Sequence, residues 1–238
     1  MKAHLSVFLA ATLLTLLSCE AQVTSLDENE SANDLELVDE SLEIGIYETY
    51  RLHNEDFLRV LRNIKVVDEF IPIFRLDFGS YPENVVGITE DESSKSRILE
   101  QLLLSDSIPP NSNLVWSKRR EYNMQTDEEA YHLYMLKNDS RIITNTDIKS
   151  AKSEENPFGD DFTVDIILTD AGTQKWSEGT KEVYENNRGY IAILIDGEAY
   201  SSSRVMGPLN SSYISFGGFA TRGEAEKIAQ GIMRKDDD

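Results

Sequence analysis

Apolar and polar positions fall into segments whose spacing predicts individual elements. Leu42 to Tyr50 alternates with the period of a half-buried strand. Glu55 to Val67 sets Phe57, Leu58, Leu61 and Ile64 on one helical face. Ile71 to Phe78 reads as extended, Tyr81 to Asn84 as a turn, and Val85 to Ile88 as a short strand. Thr89-Glu90-Asp91-Glu92 has the form of a capping box and predicts a helix with Ile98, Leu99, Leu102 and Leu103 inward. Leu114 to Tyr122 and Tyr131 to Leu136 read as paired strands around the polar stretch Asn123 to Glu129, and Thr146 to Ala151 adds a helical turn. Lys152 to Asp161 is polar and punctuated by Pro and Gly, which predicts a loop or subdomain boundary.

The last third alternates more regularly. Phe162 to Leu168 reads as a strand, and Thr169-Asp170 caps a helix reaching about Asn187, with Trp176 expected in the core beside Thr180, Val183 and Tyr184. Tyr190 to Ile195 is almost purely apolar, as suits a central strand covered on both sides. Asp196-Gly197 then predicts a two-residue hairpin turn, because both turn positions need positive φ. Ser212 to Phe216 is another strand, and Gly217-Gly218 a break. Thr221-Arg222-Gly223-Glu224 is a second capping box, opening a helix with Ala225, Ile228, Ala229 and Ile232 on one face. The order β-α-β-β-β-α argues for an α+β fold, a sheet with helices on one face.

The N-terminus has a different pattern. After Lys2, an apolar run from Val7 to Leu17 ends at Ser18-Cys19. A charged start, a short apolar stretch and a small residue make a secretory signal; a membrane-spanning helix needs about 20 apolar residues. Leu-Leu-Ser-Cys resembles the lipobox of bacterial lipoproteins, which implies lipid attachment at Cys19 after removal of residues 1–18. Cys19 is the single cysteine, so no disulfide forms within the chain. Nine carboxylates and no Lys or Arg lie between Glu20 and Glu43. Such a segment buries too little surface to fold, and residues 19–40 read as a flexible tether.

Charge narrows the function. The net charge is -20, or -21 once Lys2 leaves with the signal. No basic stripe offers a path for a phosphate backbone, so nucleic acid is excluded as a partner, and membrane attachment rests on the lipid rather than on the surface of the domain. Chemistry is sparse. After removal of the signal the histidines are His53 and His132, which stand far apart in the sequence, and His132 reads as a solvent-facing strand residue. The sequence lacks nucleophile-elbow, zinc-protease and phosphate-loop motifs. Asp160-Asp161 and Asp236 to Asp238 lack the spacing and turn glycine of a calcium loop. No catalytic residue, metal or cofactor is expected.

Three segments carry a family resemblance. Val164-Asp-Ile-Ile-Leu-Thr-Asp-Ala-Gly-Thr-Gln-Lys-Trp176 is similar to a strand and helix start in the first periplasmic domain of the SecD (SecDF) translocon subunit. Arg188-Gly-Tyr-Ile-Ala-Ile-Leu-Ile-Asp-Gly-Glu-Ala-Tyr-Ser201 resembles the hairpin of that domain's head, and Ile214-Ser-Phe-Gly-Gly-Phe-Ala-Thr-Arg-Gly-Glu-Ala225 its closing strand and helix. A weaker likeness extends upstream through Ile71 to Phe74, Tyr81 to Gly87 and Leu114 to Trp116. The pattern departs at Ser202-Ser203, where the family often has Ala-Pro, and the transmembrane helices that couple SecD to a proton gradient are missing.

The resemblance implies a ferredoxin-like head over 156–234 packed with a second small α/β part over 41–155, followed by an acidic tail, 235–238. Together with the lipobox it implies a non-enzymatic, lipid-anchored envelope protein that binds polypeptide or a partner protein, accessory to protein export, on the periplasmic face or the cell surface. Tyr213, Phe216 and Phe219 are the candidate contacts, with the core as their alternative place. Two other readings stand beside this one: a surface-displayed lipoprotein of unrelated binding role, and a hydrolase built from scattered carboxylates.

Overall fold

A computed structural model of the protein describes residues 41–51, 69–72, 81–104, 108–123, 127–186 and 189–234. The N-terminal run with Cys19, the acidic tether up to Glu40, His53, the helix expected over Glu55 to Val67, residues 73–78 of the extended stretch and the acidic tail lie outside them. The strands are β1 (Ile44–Thr49), β2 (Ile71–Pro72), β3 (Val85–Thr89), β4 (Ser112–Trp116), β5 (Glu121–Asn123), β6 (Glu128–Thr144), β7 (Ile148–Glu155), β8 (Phe162–Leu168), β9 (Tyr190–Ile195), β10 (Glu198–Arg204) and β11 (Tyr213–Phe219). The helices are α1 (Lys95–Leu103), α2 (Asp170–Glu185) and α3 (Arg222–Met233). The α+β class is as the alternation predicts.

The strands form two antiparallel sheets. The larger has the order β10-β9-β1-β6-β3-β2, with β4 and β5 also paired to β6. Its spine is the 17-residue β6. Leu136 to Thr144 of that strand pair with β1 and Tyr131 to Tyr134 with β3, while Leu133 to Lys137 take β4 on the opposite edge. Ser117, just past β4, bridges to Ala199 of β10, and the Lys118 N–H donates to the Ala199 carbonyl at 2.8 Å. The path β4-β6-β1-β9-β10 therefore returns on itself. The smaller sheet has the order β11-β8-β7.

The predicted β-α-β-β-β-α order is present, but its strands divide between the two sheets: β8 and β11 lie in the smaller, and the β9–β10 hairpin in the larger. Composition explains the division. In β9, Ile191, Ile193 and Ile195 face one hydrophobic core, with Ile44, Trp176, Val183, Phe216 and Ile232, while Ala192 and Leu194 face the other, with Trp116, Leu133 and Met135. A strand apolar at every position is stable only between two covered faces. Next to it, β1 is also buried nearly throughout rather than half-buried as its alternation suggested. The larger sheet spans the boundary expected near residue 155, with β1 and β6 on one side of it in sequence and β9 and β10 on the other.

Local chemistry accounts for the other departures. Thr89 is the last residue of β3, paired with Tyr131, so it does not cap α1. Asp91 instead caps the 3₁₀ turn Glu92–Ser94 that leads into α1, its carboxylate accepting the Ser93 N–H at 3.0 Å. Ile98 and Leu102 point inward as expected and Leu99 is partly buried, but Leu103 is 52% exposed. Residues 152–155, expected in a loop, continue β7 along β8, leaving Asn156 to Asp161 as the turn. Thr146 belongs to a single 3₁₀ turn, Asn145–Asp147, after which β7 begins. Thr169 and Thr221 cap α2 and α3, accepting the N–H groups of Gly172 at 3.0 Å and Glu224 at 3.2 Å. Asp196 and Gly197 adopt φ of 49° and 81°, as a two-residue hairpin requires.

Candidate interaction surface

The smaller sheet packs one face on α3 and leaves the other open. Register brings Tyr213, Ile167 and Ser150 abreast on β11, β8 and β7, with Ser215, Asp165 and Lys152 as the next row. Asp165 is the polar hub of this face. Its Oδ1 accepts from Ser215 Oγ at 2.7 Å and Thr163 Oγ1 at 3.1 Å. Burial first, and then the hydrogen bond to Asp165, raises the Tyr213 hydroxyl above the usual tyrosine range. Lys152, beside Glu154, is held above the ordinary lysine value by that carboxylate.

Of the three aromatic candidates, Tyr213 is 45% exposed and belongs to this face. Phe216 and Phe219 belong to the core instead. Residues three apart on a regular strand point to opposite faces. Between these two, β11 carries a bulge, with Gly218 at φ 91°, and the extra residue turns Phe219 back inside. The Gly-Gly pair is the sequence signal for that bulge: Gly217 and Gly218 lie within the strand rather than ending it. Behind the bulge, the Arg119 guanidinium lies 4.2 Å from the Phe219 ring centre, donates to the Gly218 carbonyl, and meets Glu224 Oε1 at 2.7 Å.

At one end of the open face is the β7–β8 turn. Asn156 N–H donates to the Asp161 carbonyl at 2.9 Å, its side-chain Nδ2 to Asp161 Oδ1 at 2.6 Å, and its Oδ1 accepts the Phe158 N–H at 3.0 Å. Asp161 Oδ2 accepts the Gly218 N–H at 2.7 Å. The Asn156 hydrogen bond, reinforced by Gly218, holds the Asp161 carboxyl below the usual range. Asp161 thus fastens the turn to β11, whereas the sequence suggested only a solvated loop.

His132 corrects a further expectation. It is 3% exposed, with Nδ1 3.4 Å from both the Tyr134 hydroxyl and Glu121 Oε2. Tyr81, from the turn ahead of β3, covers it edge-on at 5.6 Å between ring centres. Tyr134 Oη donates to Glu121 Oε1 at 2.5 Å, and burial, then the Glu121 charge, pushes its hydroxyl well above the ordinary value. The alternation of β6 suggested one solvated face, but Tyr81 covers that face, and Tyr81 comes from a distant part of the chain.

No catalytic constellation accompanies these groups among the described residues. Asp91, Asp147 and Asp161 are shifted down, the direction that keeps a carboxylate ionised rather than poised as an acid. No cluster of three His, Cys, Asp or Glu able to hold a metal occurs among the described residues. A cleft of about 590 Å³ is lined by Glu43, Asn145, Asp196 and Ile232 among others. Its polar groups are committed to the fold: Glu43 pairs with Arg141 at 2.8 Å, Asp196 Oδ1 accepts the Glu43 N–H at 2.8 Å, and Asn145 Nδ2 donates to the Leu42 and Ile232 carbonyls.

The chain was compared with known proteins and structures. A family model of the SecDF P1 head subdomain matches residues 119–234. No curated protein matches the chain. Among solved structures, one of a membrane component SecDF that enhances protein export is 15% identical, with a TM-score of 0.37, and the match covers 80% of this chain and 92% of that one. SecDF in a super-membrane-facing form is 17% identical at a TM-score of 0.36, covering 81% of this chain and 28% of that one. SecDF from Thermus thermophilus, a translocon-associated membrane protein, is 15% identical at a TM-score of 0.30, covering 82% and 29%. The chain therefore spans under a third of the latter two SecDF chains. Among the described residues no helix is long and apolar enough to cross a membrane. From the Arg119 that stacks on Phe219 to the end of α3, residues 119–234 form a SecDF P1-like head, and the chain carries a SecD/SecDF P1-like domain.

Proposed function

We propose that this chain is a non-enzymatic envelope protein, lipid-anchored through Cys19, whose SecDF P1-like domain binds polypeptide or a partner protein in the service of protein export. The match of residues 119–234 to the P1 head is the observation that carries the reading. Residues 1–18 serve as signal, 19–40 as tether and 235–238 as a tail, on either side of the P1-like domain. The open face around Tyr213 supplies contact surface. The lipid holds the domain at a membrane.

Two experiments test this. Mature chain carrying Cys19→Ser, immobilised and offered a reduced, alkylated secretory protein, is expected to enrich it over an unrelated acidic domain; equal recovery on both would count against polypeptide binding. Labelling of cells with a radioactive fatty acid is expected to mark the wild-type chain and not Cys19→Ala. Equal labelling of the two would refute the anchor.

A further inference from the structure

The most exposed large apolar side chain among the described residues is Phe158, 97% accessible at the tip of the β7–β8 turn. It is held there by a pre-ordered frame: the Phe158 N–H bonds Asn156 Oδ1, the Gly159 N–H bonds the Asn156 carbonyl, and Asp161 ties the base of the turn to Gly218. Pro157 adds a fixed φ beside it. Presenting a phenylalanine to water on a braced turn stabilises nothing in the chain itself. Rigid aromatic anchors dominate interface energetics because little conformational freedom is lost when they dock.

The surroundings specify what fits. Glu154, Glu155, Asp160 and Asp161 cluster at the turn; Lys152 pairs with Glu154, Arg222 with Glu155 at 2.5 Å, and Arg119 acts on Asp161, so the turn stays net negative through Asp160. A net-negative collar around an apolar tip, on a chain of net charge -20, is repelled by anionic lipid and by a second copy of the chain. The tip is convex, so its complement is concave, a shape that a folded surface provides and an extended peptide does not. We propose that Phe158 is a docking knob for a folded protein partner whose apolar pocket is rimmed by Lys and Arg. This rests on the partner-binding reading above and adds to it the site and the chemistry of the partner.

The test places the photoreactive p-benzoylphenylalanine at position 158 of the full chain in the cells that make it, with Leu104 as an exposed control position. The expected result is one predominant crosslinked protein, absent from the Leu104 control, joined at a peptide where apolar residues sit beside Lys or Arg. With that protein purified, Phe158→Ala is expected to weaken binding at least about tenfold. Asp160→Asn with Glu155→Gln is expected to weaken it several-fold and to flatten its salt dependence. Circular dichroism of each variant is expected to match wild type. Crosslinks to lipid, to another copy of the chain or to many unfolded polypeptides would overturn the knob, as would no crosslink or unchanged binding by Phe158→Ala. Capture of unfolded secretory protein that survives Phe158→Ala would sink the knob alone and leave polypeptide binding standing.

Discussion

At the scale of single residues, buried side chains do more than their types suggest. Asp147 ends the 3₁₀ turn before β7, accepts the Thr144 N–H at 3.0 Å and pairs with Lys175 at 2.6 Å. Burial opposes its ionisation, but Lys175 and Thr144 outweigh it and lower its pKa. The unfolded chain therefore takes up this proton at higher pH than the folded one. The stabilisation is complete above the ordinary aspartate range and is lost as pH falls through the lowered folded value. Asp147→Ala is expected to cost about 1–3 kcal/mol at pH 7, with the gap from wild type narrowing in acid, as urea unfolding at a series of pH values would record. The aromatic candidates separate on the same measurement. Phe219→Ala is expected to cost about 3–5 kcal/mol, and Tyr213→Ala at the surface no more than about 0.5 kcal/mol.

At the scale of elements, helix starts show how much the alphabet alone conveys. Thr169 and Thr221 were readable as caps because each is followed by a periodic apolar face, and both cap as expected. Thr89 has the same signature but is claimed by β3, a pairing with Tyr131 that local sequence does not contain. The hairpin at Asp196-Gly197 was readable because positive φ is a local demand. The sheet that the hairpin joins was not, since β1 enters from the far end of the chain. His132 failed for the same reason: burial by Tyr81 is a long-range fact. Two glycines make the contrast testable. Gly223, near the start of α3, has nothing within 4 Å of an added Cβ, so Gly223→Ala is expected to stabilise by about 0.5–1 kcal/mol. Gly172, in the first turn of α2, sits against the Asp147 carbonyl, with which an added Cβ would collide. Gly172→Ala is therefore expected to destabilise despite the better helix former, and thermal melts of the two variants would show opposite signs.

At the scale of the molecule, the two cores share a wall. Trp116 lies in one and Trp176 in the other, and β9 contributes side chains to both. Single-tryptophan variants, Trp116→Phe and Trp176→Phe, are expected to report coincident urea midpoints once each is normalised to its own stability by circular dichroism. Two separated fluorescence transitions in either variant would show that the halves unfold independently. The same shared wall bears on how such a chain comes into being. β1 lies between β6 and β9, and β9 with its hairpin follows only after most of the chain. Pairings this remote in sequence form late and slowly. During synthesis, N-terminus first, β1 lacks its second neighbour until β9, Tyr190–Ile195, is out. In any chain emerging N-terminus first, completion of the larger sheet therefore waits on residues 190–204.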